Sequence, residues 1–270
     1  MNKNNLPIGV FDSGMGGLTV LRALKTALPK ESFIYLGDTA RLPYGTKSPD
    51  TIQLYANQMA RLLVERQIKA LVIACNTATT AALPRLQAML PDIPVLGVVI
   101  PGASAVVAAT KNHRVIVLAT ETTIASNAYQ SLISKSLPKA IIRARACSVL
   151  VALAEEGMVA NTVAKETLKH YLSDFQEEDT LLLGCTHFPV FKSLLARMLP
   201  ESLTIVDSAE ATAKALQQEL TKANLECTEA QSKISYLVTD SINRFQTVGE
   251  IFLGEPLPSE DIELVDIKPN

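Results

Sequence analysis

The chain of 270 residues has no tryptophan, four cysteines and no low-complexity stretch. No C-x-x-C pair occurs, and four thiols in a chain of this length do not make a disulfide scaffold, so reduced cysteines and a cytoplasmic location are expected. An excess of either charge is missing too. The formal net charge is −2, the pI is near 6.0, and no lysine–arginine cluster stands out, which argues against a nucleic-acid partner. No apolar run approaches the ~20 residues that span a bilayer. The opening Met1-Asn-Lys-Asn-Asn lacks the apolar core of a signal peptide. No membrane association is expected.

What is present is a repeat. Two short apolar runs, Lys69-Ala-Leu-Val-Ile-Ala-Cys75 and Asp179-Thr-Leu-Leu-Leu-Gly-Cys185, each read as a buried strand that ends at a cysteine and leads into a helix. The cysteines are 110 residues apart (185 − 75). The segment from Pro7 aligns with that from Arg114, and the segment from Phe33 with that from Ala140, both at an offset of 107 (114 − 7; 140 − 33). Three strands therefore recur in order, the cysteine strand third. Helical stripes lie between them. Leu18, Leu21, Leu24 and Leu28 mark one. Ser48-Pro49-Asp50 is an N-terminal start for another, carrying Ile52, Tyr55, Met59, Leu62 and Leu63. Leu168, Tyr171 and Leu172 mark a third.

Continuously apolar strands alternating with helices predict parallel sheets covered on both faces. The expectation is two pseudo-symmetric, doubly wound α/β domains with a site in the cleft between them. Residues 1–97 plus 208–270 would form the first and 98–207 the second. Pro94–Pro101 and Leu203–Asp207 read as crossovers that end each repeat. The tail reads as a helix near 209–223, a strand near 233–238 and a helix near 241–253. It is expected to return to the first domain, the alternative being an appendage on the second. Ligands of such sheets bind beyond the carboxyl ends of the strands, where both cysteines, Asp12-Ser13, Asp38 and Thr120 fall.

The candidate residues follow from that placement. Cys75 and Cys185 precede small polar residues at helix starts, a setting that favours thiolate. Cys147 and Cys227 read as packing residues. Asp12-Ser13-Gly14-Met15-Gly16-Gly17 is a glycine-rich turn whose N–H groups suit an anion. Asp38–Gly45 is a loop with Pro43, Tyr44 and Gly45 at its turn, and Arg41 in it is either an anion contact or solvent-exposed. His187, two residues beyond Cys185, suits proton handling. His113 and His170 do not read as site residues. Glu155-Glu156 reads most simply as a solvated helix end from which either carboxylate reaches the second cysteine. No spacing suggests a metal site.

Together Asp12–Leu18, Gly37–Gly45, Ala74-Cys-Asn-Thr-Ala78 and Gly184-Cys-Thr-His-Phe-Pro189 resemble the bacterial glutamate racemases of the cofactor-independent aspartate/glutamate racemase superfamily. Thr79 and Phe188 depart from the usual Ser and Tyr. The resemblance implies cofactor-free interconversion of L- and D-glutamate, with D-glutamate supplied to peptidoglycan, and it leaves room for a homodimer. It implies Cys75 and Cys185 as the two acid–base residues, Asp12 assisting Cys75, and His187 with Glu155 assisting Cys185. Asp12, Ser13, Pro43, Tyr44, Gly45, Asn76, Thr77, Thr120, Thr186 and His187 would hold the amino acid, with Thr123 beside Thr120. Rival readings are an aspartate racemase, a maleate-isomerase-like enzyme with covalent cysteine catalysis, and a two-lobed binding protein whose cysteines only pack.

Overall fold

The computed structural model describes residues 2–229 and 232–267. In chain order the elements are β1 (Ile8–Asp12), α1 (Leu18–Ala27), β2 (Phe33–Gly37), α2 (Pro49–Glu65), β3 (Ala70–Ile73), α3 (Asn76–Met89), β4 (Val95–Gly97) and α4 (Val99–Ala109). Then come β5 (Arg114–Ala119), α5 (Glu121–Ala125), α6 (Ala128–Ser136), β6 (Ile141–Ala146), α7 (Val149–Glu155), α8 (Thr162–Tyr171), β7 (Thr180–Gly184), α9 (Lys192–Met198) and β8 (Thr204–Asp207). The chain ends in α10 (Ala209–Lys222), β9 (Ile234–Val238), α11 (Ile242–Leu253) and β10 (Ile262–Leu264).

Two all-parallel sheets result, with orders β10-β9-β2-β1-β3-β4 and β6-β5-β7-β8. The fourfold core β2-β1-β3-β4 has the same order as β6-β5-β7-β8, so the internal repeat is a repeat of topology. Pairing also corrects the alignment. Ile8 faces Phe33 and Ala70, while Val115 faces Ile142 and Thr180. Matching Ile8 to Val115 therefore sets the second strand at an offset of 109 (142 − 33), not 107, and the third at 110 (180 − 70). The connections before β2 and β6 differ in length, which a fixed offset cannot follow. The expected crossovers each supply a fourth strand first, because β4 pairs with β3 and β8 with β7.

Side-chain alternation explains why helices cover both faces of the first sheet. Ile8, Val10, Phe33, Tyr35, Ala70 and Val72 enter one core, and Phe11, Leu36, Leu71, Ile73 and Cys75 enter the other. Helix α2 starts as its sequence predicts, with the Ser48 hydroxyl accepting from the Thr51 N–H and Pro49 in the first turn. Its Ile52, Met59 and Leu63 are buried, while Tyr55 and Leu62 are half-buried. Beyond 208, β9 joins the first sheet beside β2, β10 extends it, and α10 packs on α1 and α4. We propose domain limits of 1–97 plus 208–270 and 98–207, which follow the strands of the two sheets. No helix among the described residues is long and apolar enough to cross a membrane.

Candidate active site

In each sheet the chain winds first to one side of its initial strand and then to the other, so a crevice opens at the carboxyl ends of β1 and β3, and of β5 and β7. The two crevices face one another across a single cavity. It is lined by Ser13, Leu42, Pro43, Tyr44, Gly45, Cys75, Asn76 and Thr77 from the first half, and by Thr120, Val151, Glu155, Cys185, Thr186 and His187 from the second. Asp12 is fully buried and does not line the wall. The volume of the cavity is ≈ 20 Å³, room for about one water.

Cys75 caps the N-terminus of the 14-residue helix α3, its Sγ accepting from the Ala78 N–H at 3.4 Å. It lies 3.6 Å from the Ser13 hydroxyl. The expected thiolate bias from the helix end is overridden here. Burial first, and the Asp12 carboxylate second, push the Cys75 thiol up to about 12, against the smaller opposing pulls of Ala78 N–H and Ser13. Cys185 is held differently. No α-helix begins directly behind it; a 3₁₀ turn over Phe188–Phe191 intervenes before the short α9. Its Sγ lies 3.9 Å from His187 Nδ1, and His187 Nε2 lies 3.0 Å from Glu155 Oε1. Burial alone would favour neutral imidazole, but the bonds to Cys185 and Glu155 outweigh it and raise His187 to about 10. His187 is therefore imidazolium at neutral pH. Glu155 is buried while Glu156 is exposed, so the pair is not simply a solvated helix end. Arg244 of α11 reaches both, at 3.9 and 3.3 Å.

The glycine-rich turn after β1 does turn its N–H groups onto a carboxyl group, but the chain's own. Asp12 Oδ2 accepts from the Gly14 N–H at 3.0 Å, and the Gly17 and Ser13 backbone also favours its charge. Burial still raises the Asp12 carboxyl, against the charge of His187 and these N–H groups. A Cβ on Gly16 would sit 2.3 Å from His187 Nδ1, so only glycine lets the turn approach the opposite wall. Gly45 meets Thr120 in the same way, at 2.7 Å.

Asp38 and Arg41 stay outside the cavity. Asp38 accepts from the Arg41 Nε at 2.7 Å, from the Tyr44 hydroxyl and from the Thr239 hydroxyl at 3.1 Å. Arg41 also donates to Gln58 and stacks 4.0 Å over Tyr55. The two residues shape the loop that presents Pro43, Tyr44 and Gly45. Neither expected use of Arg41, as an anion contact or in solvent, matches this.

Hydroxyls and amides close the cleft between the halves. Thr77 Oγ1 lies 2.8 Å from Thr120 Oγ1 and 3.2 Å from Thr123 Oγ1. The Thr122 hydroxyl donates to Gly45 O at 3.0 Å, Thr19 to Thr186 O at 3.0 Å, and Thr186 to Asp12 at 3.4 Å. The Tyr129 hydroxyl donates to Asn76 Oδ1 at 2.5 Å. Apart from the one to Asp12 these bonds are neutral, and each is worth roughly 0.5–1.5 kcal/mol net.

Cys147 is buried in the core, Cys227 is half-buried beside Asn5, and His113 and His170 are exposed; none lines the cavity. Sequence reasoning passed over Leu42, although it sits inside the Gly37–Gly45 motif, and Val151, whose apolar run is indistinguishable from core. Among the described residues no group of three or more His, Cys, Asp or Glu is arranged to hold a metal ion.

A family profile described as Asp/Glu/Hydantoin racemase matches residues 8–216. The chain is 48% identical over 253 residues to a glutamate racemase of Geobacter metallireducens, covering 93% of each chain. It is 42% identical over 264 residues to one of Neisseria meningitidis, covering 97% of each. Among solved structures, the glutamate racemase of Francisella tularensis in complex with D-glutamate superposes with a TM-score of 0.90 at 38% identity, covering 98% of both chains.

Proposed function

Because the chain belongs to the Asp/Glu/hydantoin racemase family and is an isomerase, we propose that it interconverts L- and D-glutamate by passing a proton between Cys75, Cys185 and the two faces of the α-carbon. The observation that carries this reading is that two thiols equivalent under the internal repeat line one cavity from opposite halves of the fold. Inverting a stereocentre by proton exchange needs one base on one face and one acid on the other. A pseudo-two-fold pair of cysteines supplies both without a cofactor, and the roles exchange when the direction reverses.

The surroundings support a starting state. Cys75, raised to about 12, is a protonated acid at neutral pH. The imidazolium of His187, backed by Glu155, gives the Cys185 sulfur a cationic neighbour suited to a thiolate. In that state Cys185 takes the α-proton of L-glutamate and Cys75 delivers one to the opposite face; D-glutamate runs the reverse. Asp12 assists Cys75 from behind the wall. Ser13, Pro43, Tyr44, Gly45, Asn76, Thr77, Thr120 and Thr186 hold the ammonium and carboxylates. Among the described residues the wall carries no lysine or arginine; apart from the His187 imidazolium beside Cys185, the substrate carboxylates meet neutral donors, preorganised to accept charge as the carbanion forms. In this state the cavity has room for about one water, and we infer that its two walls move apart to admit glutamate and close again. D-Glutamate made in this way would feed peptidoglycan synthesis in the cytoplasm.

Purified protein with L-glutamate and no added cofactor should lose the circular dichroism of the substrate and, in D₂O, place deuterium at the α-carbon of the product. L-Aspartate should be far slower. Binding of glutamate without α-proton exchange would sink the reading in favour of a binding protein. A glutamate-bound structure should set the sulfurs about 6–9 Å apart, with the α-carbon between.

A further inference from the structure

Asn76 lines the cavity, yet its side-chain Nδ2 is buried without a hydrogen-bond partner. A buried N–H left unpaired forfeits its hydration with nothing in return, so an unpaired donor on a cavity wall marks a place where a ligand acceptor belongs. The other end of the same amide is occupied. Its Oδ1 accepts from the Tyr129 hydroxyl at 2.5 Å, and Tyr129 comes from α6 in the opposite half of the fold. Tyr129 is fully buried and has a tailored seat. A Cβ on Gly102 would lie 3.0 Å from its hydroxyl oxygen, and one on Gly184, next to Cys185, 3.0 Å from its ring. Burial, with Cys185 and Asp207 adding to it, raises its pKa well above the ordinary phenol range, so the hydroxyl remains a donor at every working pH.

We infer that Tyr129 is a positioning residue for the substrate: its O–H, given to Asn76 Oδ1 across the domain interface, turns Nδ2 into the cavity to receive a substrate carboxylate. An amide can present either end to a ligand, and the two ends have opposite preferences. With Nδ2 inward it attracts a carboxylate; with Oδ1 inward it repels one. The hydroxyl can also accept, but turning the amide round would leave its hydrogen without an acceptor, since Asn76 Oδ1 is the acceptor it has among the described residues; that choice holds only while the two halves are together. Tyr129 thereby links closure of the cleft to the polarity of its wall. This inference rests on the proposed racemisation of glutamate.

The test is a double-mutant cycle read as KM against kcat for both enantiomers. Tyr129→Phe keeps the ring and removes the donor. It should raise KM about three- to tenfold, the worth of one ordinary hydrogen bond, with a smaller change in kcat. In an Asn76→Ala background the same substitution should change KM less than about twofold, because the amide it acts through is gone. An equal factor in both backgrounds, or a wild-type KM for Tyr129→Phe, overturns the inference. Should Tyr129→Phe fail to fold, Gly102→Ala displaces the same hydroxyl and is read in the same two backgrounds. Racemisation by the unmodified protein in the same assay separates failure here from failure of the proposed function, which would show as no turnover at all.

Discussion

The two walls of the cavity share a backbone plan and differ in almost everything attached to it. Cys75 stands at the head of a long helix, among neutral hydroxyls and an N–H, with a buried carboxylate behind it. Cys185 stands before a 3₁₀ turn, on a chain of charged groups that runs through His187 and Glu155 to Arg244. The repeat thus provides geometry, two sulfurs in equivalent places. The environments provide asymmetry, one holding its proton tightly and the other flanked by a cation. Symmetry of position suits a reaction whose product mirrors its substrate; in the proposed mechanism, asymmetry of support would decide which sulfur begins as acid.

Removing either sulfur breaks the comparison most severely. Cys75→Ser and Cys185→Ser should each lower racemisation by at least ~10²–10⁴-fold, the span of acid–base assistance. The equilibrium constant of a racemisation is one, so kcat/KM must fall equally in both directions. The asymmetry should appear instead in one-sided exchange or elimination. Cys75→Ser should retain solvent exchange with L-glutamate, and Cys185→Ser with D-glutamate. Identical loss of exchange for both enantiomers in both variants would contradict two separate bases.

The charged wall is the next target. His187→Asn should lower kcat tenfold or more from L-glutamate, with a smaller effect from D-glutamate. Near-normal turnover with a lowered Tm would make His187 a packing residue. Gly16→Ala, whose methyl would press on His187 Nδ1 and Thr186 Oγ1, should mimic that loss and destabilise the fold by roughly 1–3 kcal/mol.

Proton linkage sharpens the contrast without any assay of turnover. The His187 pKa is raised in the folded protein to about 10, so its contribution to stability is complete below the ordinary imidazole value and fades as pH rises through about 10. The Tm gap between wild type and His187→Asn should therefore narrow as pH increases over that range. In Glu155→Gln the ring loses one of its two partners, and a ¹⁵N titration should find it deprotonating at lower pH than in wild type. An unchanged titration would remove Glu155 from the relay.

The neutral wall should be the more forgiving. Ser13→Ala removes a hydroxyl 3.6 Å from Cys75 and should slow turnover only about two- to fivefold. A loss rivalling that of His187→Asn would mean that Cys75 depends on its neighbours as strongly as Cys185 does.

Much of this was legible in the residues because local chemistry and long-range order agreed. Apolar strands, a Ser-Pro-Asp helix start and two cysteine segments pointed to two repeated parallel-sheet domains before any pairing was known. Short motifs brought Ser13, Tyr44, Asn76, Thr120 and His187 to one place. The misses have physical causes. A constant offset cannot track loops of unequal length, hence the two-residue slip at β6. Cys185 precedes an apolar Phe-Pro-Val-Phe segment that resembles a helix start but coils more tightly. Helix ends place adjacent residues on different sides, so Glu155 and Glu156 look alike in sequence and part company in space. Tyr129 and Val151 reach the site through tertiary packing, which leaves no local pattern.

The course of the chain through the first sheet has a consequence for biosynthesis. Its central strands come from the beginning of the chain, yet β2 pairs with β9, about two hundred residues later, and α1 packs on α10. The strands of the second sheet are contiguous in the chain. During translation the middle of the molecule can therefore complete its sheet while the first sheet still awaits its last two strands. Cys185 would stand in a finished half before the sheet that carries Cys75 has gained its last two strands.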